Sequence, residues 1–461
     1  MMLSPVHLLT IILTLLLATG LGLYSRRRVH TAADFAVGGR AVSAPVVAGT
    51  IIGTLVGGAS TIGTAQLAFE YGFSAWWFTL GGGIACLLLA MFLAGPLRRS
   101  GASTGPGFLS RVYGPQAGLL ATLFSSLGIF LNIVGQILSI IALLTAITGM
   151  PPFAAALVAV LVIIAYVVFG GVWSTGLVGS FKTALLYLSM VVVGVLAYRL
   201  GGGLAGFQAA FAPYPWFSLF GRGVGTDLAA GFSLVVGVLS TQTYLQAVFS
   251  GRDAAASRLG ALTAALVIPP IGLAGIAVGL YMRATAPTIA PREALPLFIL
   301  QYLPDWLGGL VLVTLFIAAI GTGAGLVLGV STMFTEDIYR RLVPHASDRQ
   351  LLLTSRLAVV GVTGLGLAFV SGNLNSLILE WSFLSMGLRG ATLFWPLLAA
   401  VFAPRHVSPK AGVWAIGLGP LSAVLWAVLG PESVDPLYVG LSVSLGVLLA
   451  GSWLFRLEIG D

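Results

Sequence analysis

Thirteen apolar runs of bilayer length dominate the sequence, centred near residues 14, 56, 84, 130, 160, 187, 239, 271, 318, 361, 388, 419 and 444. A helix needs about 20 mostly apolar residues to cross a hydrocarbon core. Within that core every backbone polar group must find an internal partner, which leaves helices as the natural form for such runs. Charged residues make up 8% of the chain, against roughly 25% in soluble domains. The expectation is an all-α membrane protein with about 13 transmembrane helices, embedded in the cell (inner) membrane.

The basic residues give an orientation. With the N-terminus outside and the C-terminus inside, sixteen of the 22 Lys and Arg residues, from Arg26 to Arg456, fall on the inner side. Only Arg199, Arg222, Arg283 and Arg292 fall outside, a strong positive-inside bias. The net charge of +8 follows from that topology and is no nucleic-acid footprint. The first run precedes Arg26, Arg27 and Arg28, the reverse of a cleavable signal peptide, and reads as a retained helix. The single Cys86 excludes an intrachain disulfide, and the four scattered histidines form no metal constellation. No cofactor is expected.

With the first helix set aside, the next ten divide into two groups of five with opposite orientations, the arrangement of an inverted repeat in secondary transporters. This divides the chain into a peripheral helix and loop (1–43), a first repeat (44–200), a second repeat (201–403) and two peripheral helices (404–461).

Six segments, in order, carry a resemblance: "ADFAVGGR" at 33–40, "GGASTIGTAQLAFEYG" at 57–72, "LRRSGASTGPGFLSRVYG" at 97–114, "QTYLQAVFSGRDAAASRLGA", "AAIGTGAGLVLGVSTMFTEDIYR" and "LRGATLFWPLLAAVF". Along essentially its whole length the chain resembles the sodium:solute symporter family, the relatives of sodium-coupled sugar, proline and sialic acid carriers. The resemblance implies the five-plus-five fold of the leucine transporter, with core helices 1 and 6 interrupted near the midplane to bind substrate and ion. Gly57, Gly58 and Gly63 among Ser60, Thr61 and Thr64 suit such a break physically, being a poor continuous helix and a good supply of oxygens.

The family's sodium site implies helix 1 carbonyls, a Ser/Thr pair on helix 8 and an Asp on helix 5. Here Gly179 stands at the Asp, Lys182 at a neighbouring Gln, and helix 8 keeps Thr322 but has Gly323 at the other position. Lys182 lies about ten residues into its helix, or about 15 Å, halfway through a core of about 30 Å. A lysine at that depth costs about 2.5 to 3.5 kcal/mol on insertion scales and must face the bundle interior. Gly179 and Lys182 are three apart and share a face.

The expectation is that the ammonium replaces the sodium ion, bonding carbonyls in the Gly58–Ile62 segment, including Thr61, and the Thr322 hydroxyl. Proton-coupled amino acid carriers of this fold show a similar substitution. Burial and carbonyl acceptors act on the lysine proton in opposite directions, so alternating access gives it a means of cycling a proton. Ion-independent transport, surviving sodium coupling and a purely structural lysine stay open.

For the solute, Gly57, Ser60, Asn132, Gln136, Gln242, Tyr244 and Arg389 are the candidates. Asn132 and Gln136 share a helix face, and "STQTYLQ" is a polar cluster in an apolar span. Arg389 offers a planar fork for a carboxylate or a structural bond to a helix end. The resulting expectation is a secondary carrier of a small polar or anionic organic solute, with a sodium-coupled symporter or a non-transporting sensor as alternatives. The sequence ends at Asp461, soon after its last apolar run, which argues against an output domain and so against the sensor. An enzyme is not expected, and oligomeric state is not indicated.

Overall fold

The structure is a computed structural model that describes residues 4–14, 42–102, 104–170, 173–431 and 433–457. The "ADFAVGGR" segment and Arg26, Arg27, Arg28 and Arg40 lie outside these residues, as do the side chains of 168–181.

Among the described residues, each apolar run contains helix. The first is α1 (Pro5–Thr14). The second is interrupted, α2 (Ala44–Leu55) being followed by a widened turn at Ala59–Gly63 and by α3 (Thr64–Tyr71). Then come α4 (Trp77–Leu88), α5 (Ala94–Arg99), α6 (Gly105–Tyr113), α7 (Pro115–Thr148), α8 (Pro152–Gly170) and α9 (Trp173–Leu200). The short α10 (Gly203–Ala210) leads to a second interrupted pair, α11 (Val224–Ser240) and α12 (Gln242–Ser250), bent by 46°. The chain continues as α13 (Ala254–Thr285), α14 (Ala294–Tyr302), α15 (Asp305–Met333), α16 (Asp348–Ser371), α17 (Ile378–Phe402), α18 (Pro409–Leu429) and α19 (Pro436–Leu457).

Among the described residues nine helices are long and apolar enough to cross a membrane, or ten with the bent pair counted as one span. The runs centred near 14, 56 and 160 carry the shorter apolar helices Pro5–Thr14, Ala44–Leu55 and Pro152–Val167.

Packing relies on small residues, which let helix backbones approach where hydrophobicity alone gives neighbouring helices no preference over lipid. A Cβ on Gly279 of α13 would lie 2.6 Å from Ala65 O of α3, so those backbones nearly touch. A Cβ on Gly237 of α11 would meet Met386 of α17 at 2.5 Å. The α17 helix is central, packing on α7, α11, α18 and α19. The two interrupted spans therefore sit among close neighbours, and their freed backbone groups meet protein.

Candidate functional site

The first interruption arises because two backbone donors are diverted. Val56 leaves the helical region (φ −92°, ψ 98°). In a continuous helix the Gly57 N–H would donate to Gly53 O, four residues back. It donates instead to Ser60 Oγ at 2.9 Å, and Ser60 Oγ donates back to Gly57 O at 3.0 Å. The Gly58 N–H donates to Gln136 Oε1 of α7 at 3.1 Å. The Gly53 carbonyl thus loses its helical partner and needs another.

Lys182 supplies it. The Lys182 Nζ donates to Gly53 O at 3.2 Å, to Ala318 O of α15 at 3.1 Å and to Thr322 Oγ1 at 3.1 Å. Three N–H bonds of the ammonium meet three oxygens. Thr322 Oγ1 also lies 3.4 Å from Gly53 O, closing the cluster. The side chain is buried, 6% exposed. A Cβ on Gly321 would come within 3.3 Å of Nζ, so this face of α15 is open to the lysine because it lacks one.

The carbonyl acceptors differ from those the sequence suggests. Gly58, Thr61 and Ile62 belong to the resumed helix, where Thr61 Oγ1 donates to Gly57 O at 2.9 Å and Ile62 is apolar and buried. Because the interruption comes at Val56 and Gly57, ahead of the Gly/Ser/Thr cluster, the orphaned carbonyl lies upstream of it, at Gly53. Gly323 faces α7, its Cβ position being 3.3 Å from Gln136 Cβ. Gly179 is on α9, but its surroundings lie outside the described residues.

The second interruption has a similar local chemistry. Thr241 is extended (φ −88°, ψ 126°), and its hydroxyl donates to Gly237 O at 2.6 Å, again the carbonyl four residues back. Thr241 Oγ1 in turn accepts from Arg389 Nη1 of α17 at 2.9 Å. Arg389 is fully buried. Its Nε donates to Ser385 O at 3.1 Å and its Nη2 to Ser385 Oγ at 2.6 Å, while Ser385 Oγ donates to Gly128 O of α7. Among the described residues no carboxylate forms an ion pair with it. The planar fork is thus directed at its own helix and at the α11–α12 junction.

The remaining candidates separate into two groups. Asn132 and Gln136 lie buried on one face of α7, with Gln136 Nε2 3.5 Å from Asn132 Oδ1 and Gln136 Oε1 next to Gly57 and Gly58. Tyr244 is buried on α12. Gln242 does something else: its Oε1 accepts from the Gly105 N–H at 2.8 Å, tying α12 to the start of α6.

Both ends of the first interrupted span are also fastened. At the α2 end, Val42 pairs with Gly251, the Val42 N–H donating to Ser250 O and the Arg252 N–H to Val42 O, and Arg98 donates to Gly251 O. At the α3 end, Gln66 Oε1 accepts from the Ile378 N–H at 2.9 Å at the start of α17. Gly53, Ala318 and Ser385 escape residue-type reasoning because the first two act through backbone oxygens. Thr241 is visible only as one member of the polar "STQTYLQ" cluster.

The chain as a whole has known relatives. A family model described as sodium:solute symporter family matches residues 35–416. An uncharacterized symporter of Bacillus subtilis (strain 168) is 24% identical, over 94% of this chain and 90% of its own. The urea-proton symporter of Oryza sativa subsp. japonica is 25% identical over 86% of this chain and 61% of its own, and the sodium/iodide cotransporter of Homo sapiens 23% over 92% and 70%. Among solved structures, a Na+-coupled sialic acid symporter in a substrate-bound outward-open state superposes with a TM-score of 0.78 over 98% of each chain, at 19% identity.

Proposed function

The chain belongs to the sodium:solute symporter family and is a secondary transporter, not an enzyme, and from this premise we propose that Lys182 serves as a built-in cation in place of a transported sodium ion. The carrying observation is the triple contact of the Lys182 ammonium with Gly53 O, Ala318 O and Thr322 Oγ1. Sodium is a hard cation that draws on several oxygens at once; here three converging oxygens already hold an ammonium. A second cation in that space would be repelled at close range.

In this reading the protein crosses the cell membrane thirteen times, N-terminus outside and C-terminus inside. Two repeats, 44–200 and 201–403, enclose a chamber for a small polar or anionic organic solute. Gly57, Ser60, Asn132, Gln136 and Tyr244 line that chamber, beside the interrupted span whose backbone is already exposed to side chains. Gln242 and Arg389 hold its frame, Gln242 Oε1 accepting from the Gly105 N–H and the Arg389 guanidinium donating to Thr241 and Ser385.

Transport is coupled to protons through Lys182, whose proton is held when the oxygen cluster is closed and released when α2 moves away. A proton-coupled relative, named as a urea-proton symporter, is in keeping with this assignment. The test is uptake into proteoliposomes, with counterflow used first to find a solute. An inward pH gradient is expected to drive accumulation in choline buffer, and sodium to add nothing. Accumulation that follows a sodium gradient and ignores pH would overturn the assignment.

A further inference from the structure

We infer that Arg389 is the second-repeat counterpart of Lys182, so that the transporter carries a tethered cation at each of its two helix interruptions, one restraining each face of the molecule. The inference rests on the two-repeat reading above and extends it to a residue whose role that reading leaves open.

The two clusters share a construction. At each interruption a glycine carbonyl, Gly53 O or Gly237 O, loses the backbone donor that a continuous helix would give it four residues on. At each, a threonine hydroxyl lies beside that carbonyl: Thr322 Oγ1 at 3.4 Å from Gly53 O, Thr241 Oγ1 at 2.6 Å from Gly237 O. A long basic side chain then donates to the threonine, Lys182 Nζ at 3.1 Å and Arg389 Nη1 at 2.9 Å. The cation comes from the last helix of its own repeat, α9 for the first and α17 for the second. Each also reaches one helix of the other grouping: Lys182 meets α15 through Ala318 O, and Arg389 meets α7 through Ser385 Oγ and Gly128 O. Under the repeat relation α15 and α7 are equivalent.

Both cations are buried, and neither forms an ion pair with a carboxylate among the described residues. A buried charge without a counter-charge is held by the dipoles around it. It therefore resists any motion that withdraws those dipoles. For Lys182 the withdrawn group is α2, whose N-terminal end, far from Gly53, carries the Val42–Gly251 fastening. For Arg389 the equivalent element is α11, which packs on α17 through Gly237 and Met386. The inverted relation places that movement at the opposite end of the bundle, where Gln66 meets Ile378. Lys182 thus restrains one face and Arg389 the other.

The two faces can be read separately with buried serines as reporters, Ser257 beside the Val42–Gly251 end and Ser382 one turn into α17 at the Gln66–Ile378 end, both 0% exposed. Each is replaced by cysteine in a Cys86→Ala protein and labelled with a maleimide after purification. Lys182→Met is expected to speed labelling at Ser257→Cys and not at Ser382→Cys, where reciprocal coupling slows it if anything. Arg389→Met and Thr241→Val are expected to do the reverse, by about tenfold, the population shift that loss of one charge-assisted hydrogen bond produces. Arg389→Lys, which keeps the charge, is expected to label close to the parent rate. Thr241→Val retains the guanidinium and decides the matter if Arg389→Met does not fold.

The inference is overturned if Arg389→Met and Thr241→Val open the Ser257 end, both ends equally, or neither, while Lys182→Met opens its own. Lys182→Met without effect at either reporter removes the Lys182 restraint itself, and with it the pairing, a result visible in that arm alone.

Discussion

Lys182 is legible in the sequence as a charge that hydrocarbon does not tolerate unpartnered, and Thr322 as its neighbour by resemblance. Its carbonyl acceptors are not, because their availability is decided elsewhere. Gly53 O is free only because Ser60 and Gln136 capture the N–H groups of Gly57 and Gly58, and Gln136 is 78 residues distant from Gly58. The proposed replacement of an ion by a side chain makes a reciprocal prediction. Lys182→Gln combined with Gly323→Ser removes the ammonium and adds an oxygen, and the new Cβ would meet Gln136 Cβ at 3.3 Å, a close but adjustable contact. Sodium chloride, compared with choline chloride, is expected to raise the thermal midpoint of this variant and not that of the parent. No sodium effect on the double variant would mean that the pocket was never shaped for a cation of that size.

At the scale of elements, the apolar runs locate helices well because each must shield its own backbone from lipid. The interruptions are harder to place, since a glycine-rich stretch permits a break over several residues and tertiary contacts choose among them. The first falls at the leading edge of its Gly/Ser/Thr cluster, where close approach of α7 and α15 is possible. A Cβ on Gly58 would lie 2.4 Å from Ser139 Cβ and 3.1 Å from Ala319 Cβ. Gly58→Ala is therefore expected to force α2–α3 away from α7 and to destabilise the fold by about 1–3 kcal/mol, as overpacking does. Ser139→Gly, which removes the main obstruction, is expected to restore much of that loss. A double-mutant cycle by thermal unfolding checks it, with additive effects arguing that the obstruction lies elsewhere.

For the whole molecule, the positive-inside bias and the five-plus-five division set an expected orientation and symmetry, but they say nothing about which contacts hold each end. Those contacts link segments hundreds of residues apart: Gln66 with Ile378, and Val42 with Gly251. Alternating access requires that the two ends loosen in turn, and energetic coupling between them is reciprocal. Gln66→Leu removes the acceptor for the Ile378 N–H. Its expected signature in hydrogen–deuterium exchange is about tenfold faster exchange around 376–380, the size of a lost buried hydrogen bond, with slower exchange around 250–253. Faster exchange at both ends would indicate simple loosening of the bundle.

The ammonium that meets Gly53, Ala318 and Thr322 is bonded to the chain that presents those oxygens. Its local concentration is set by the length of a side chain and has no dilution limit. Brine and fresh water therefore present this junction with the same occupant, and the restraint proposed for it is insulated from the salinity outside.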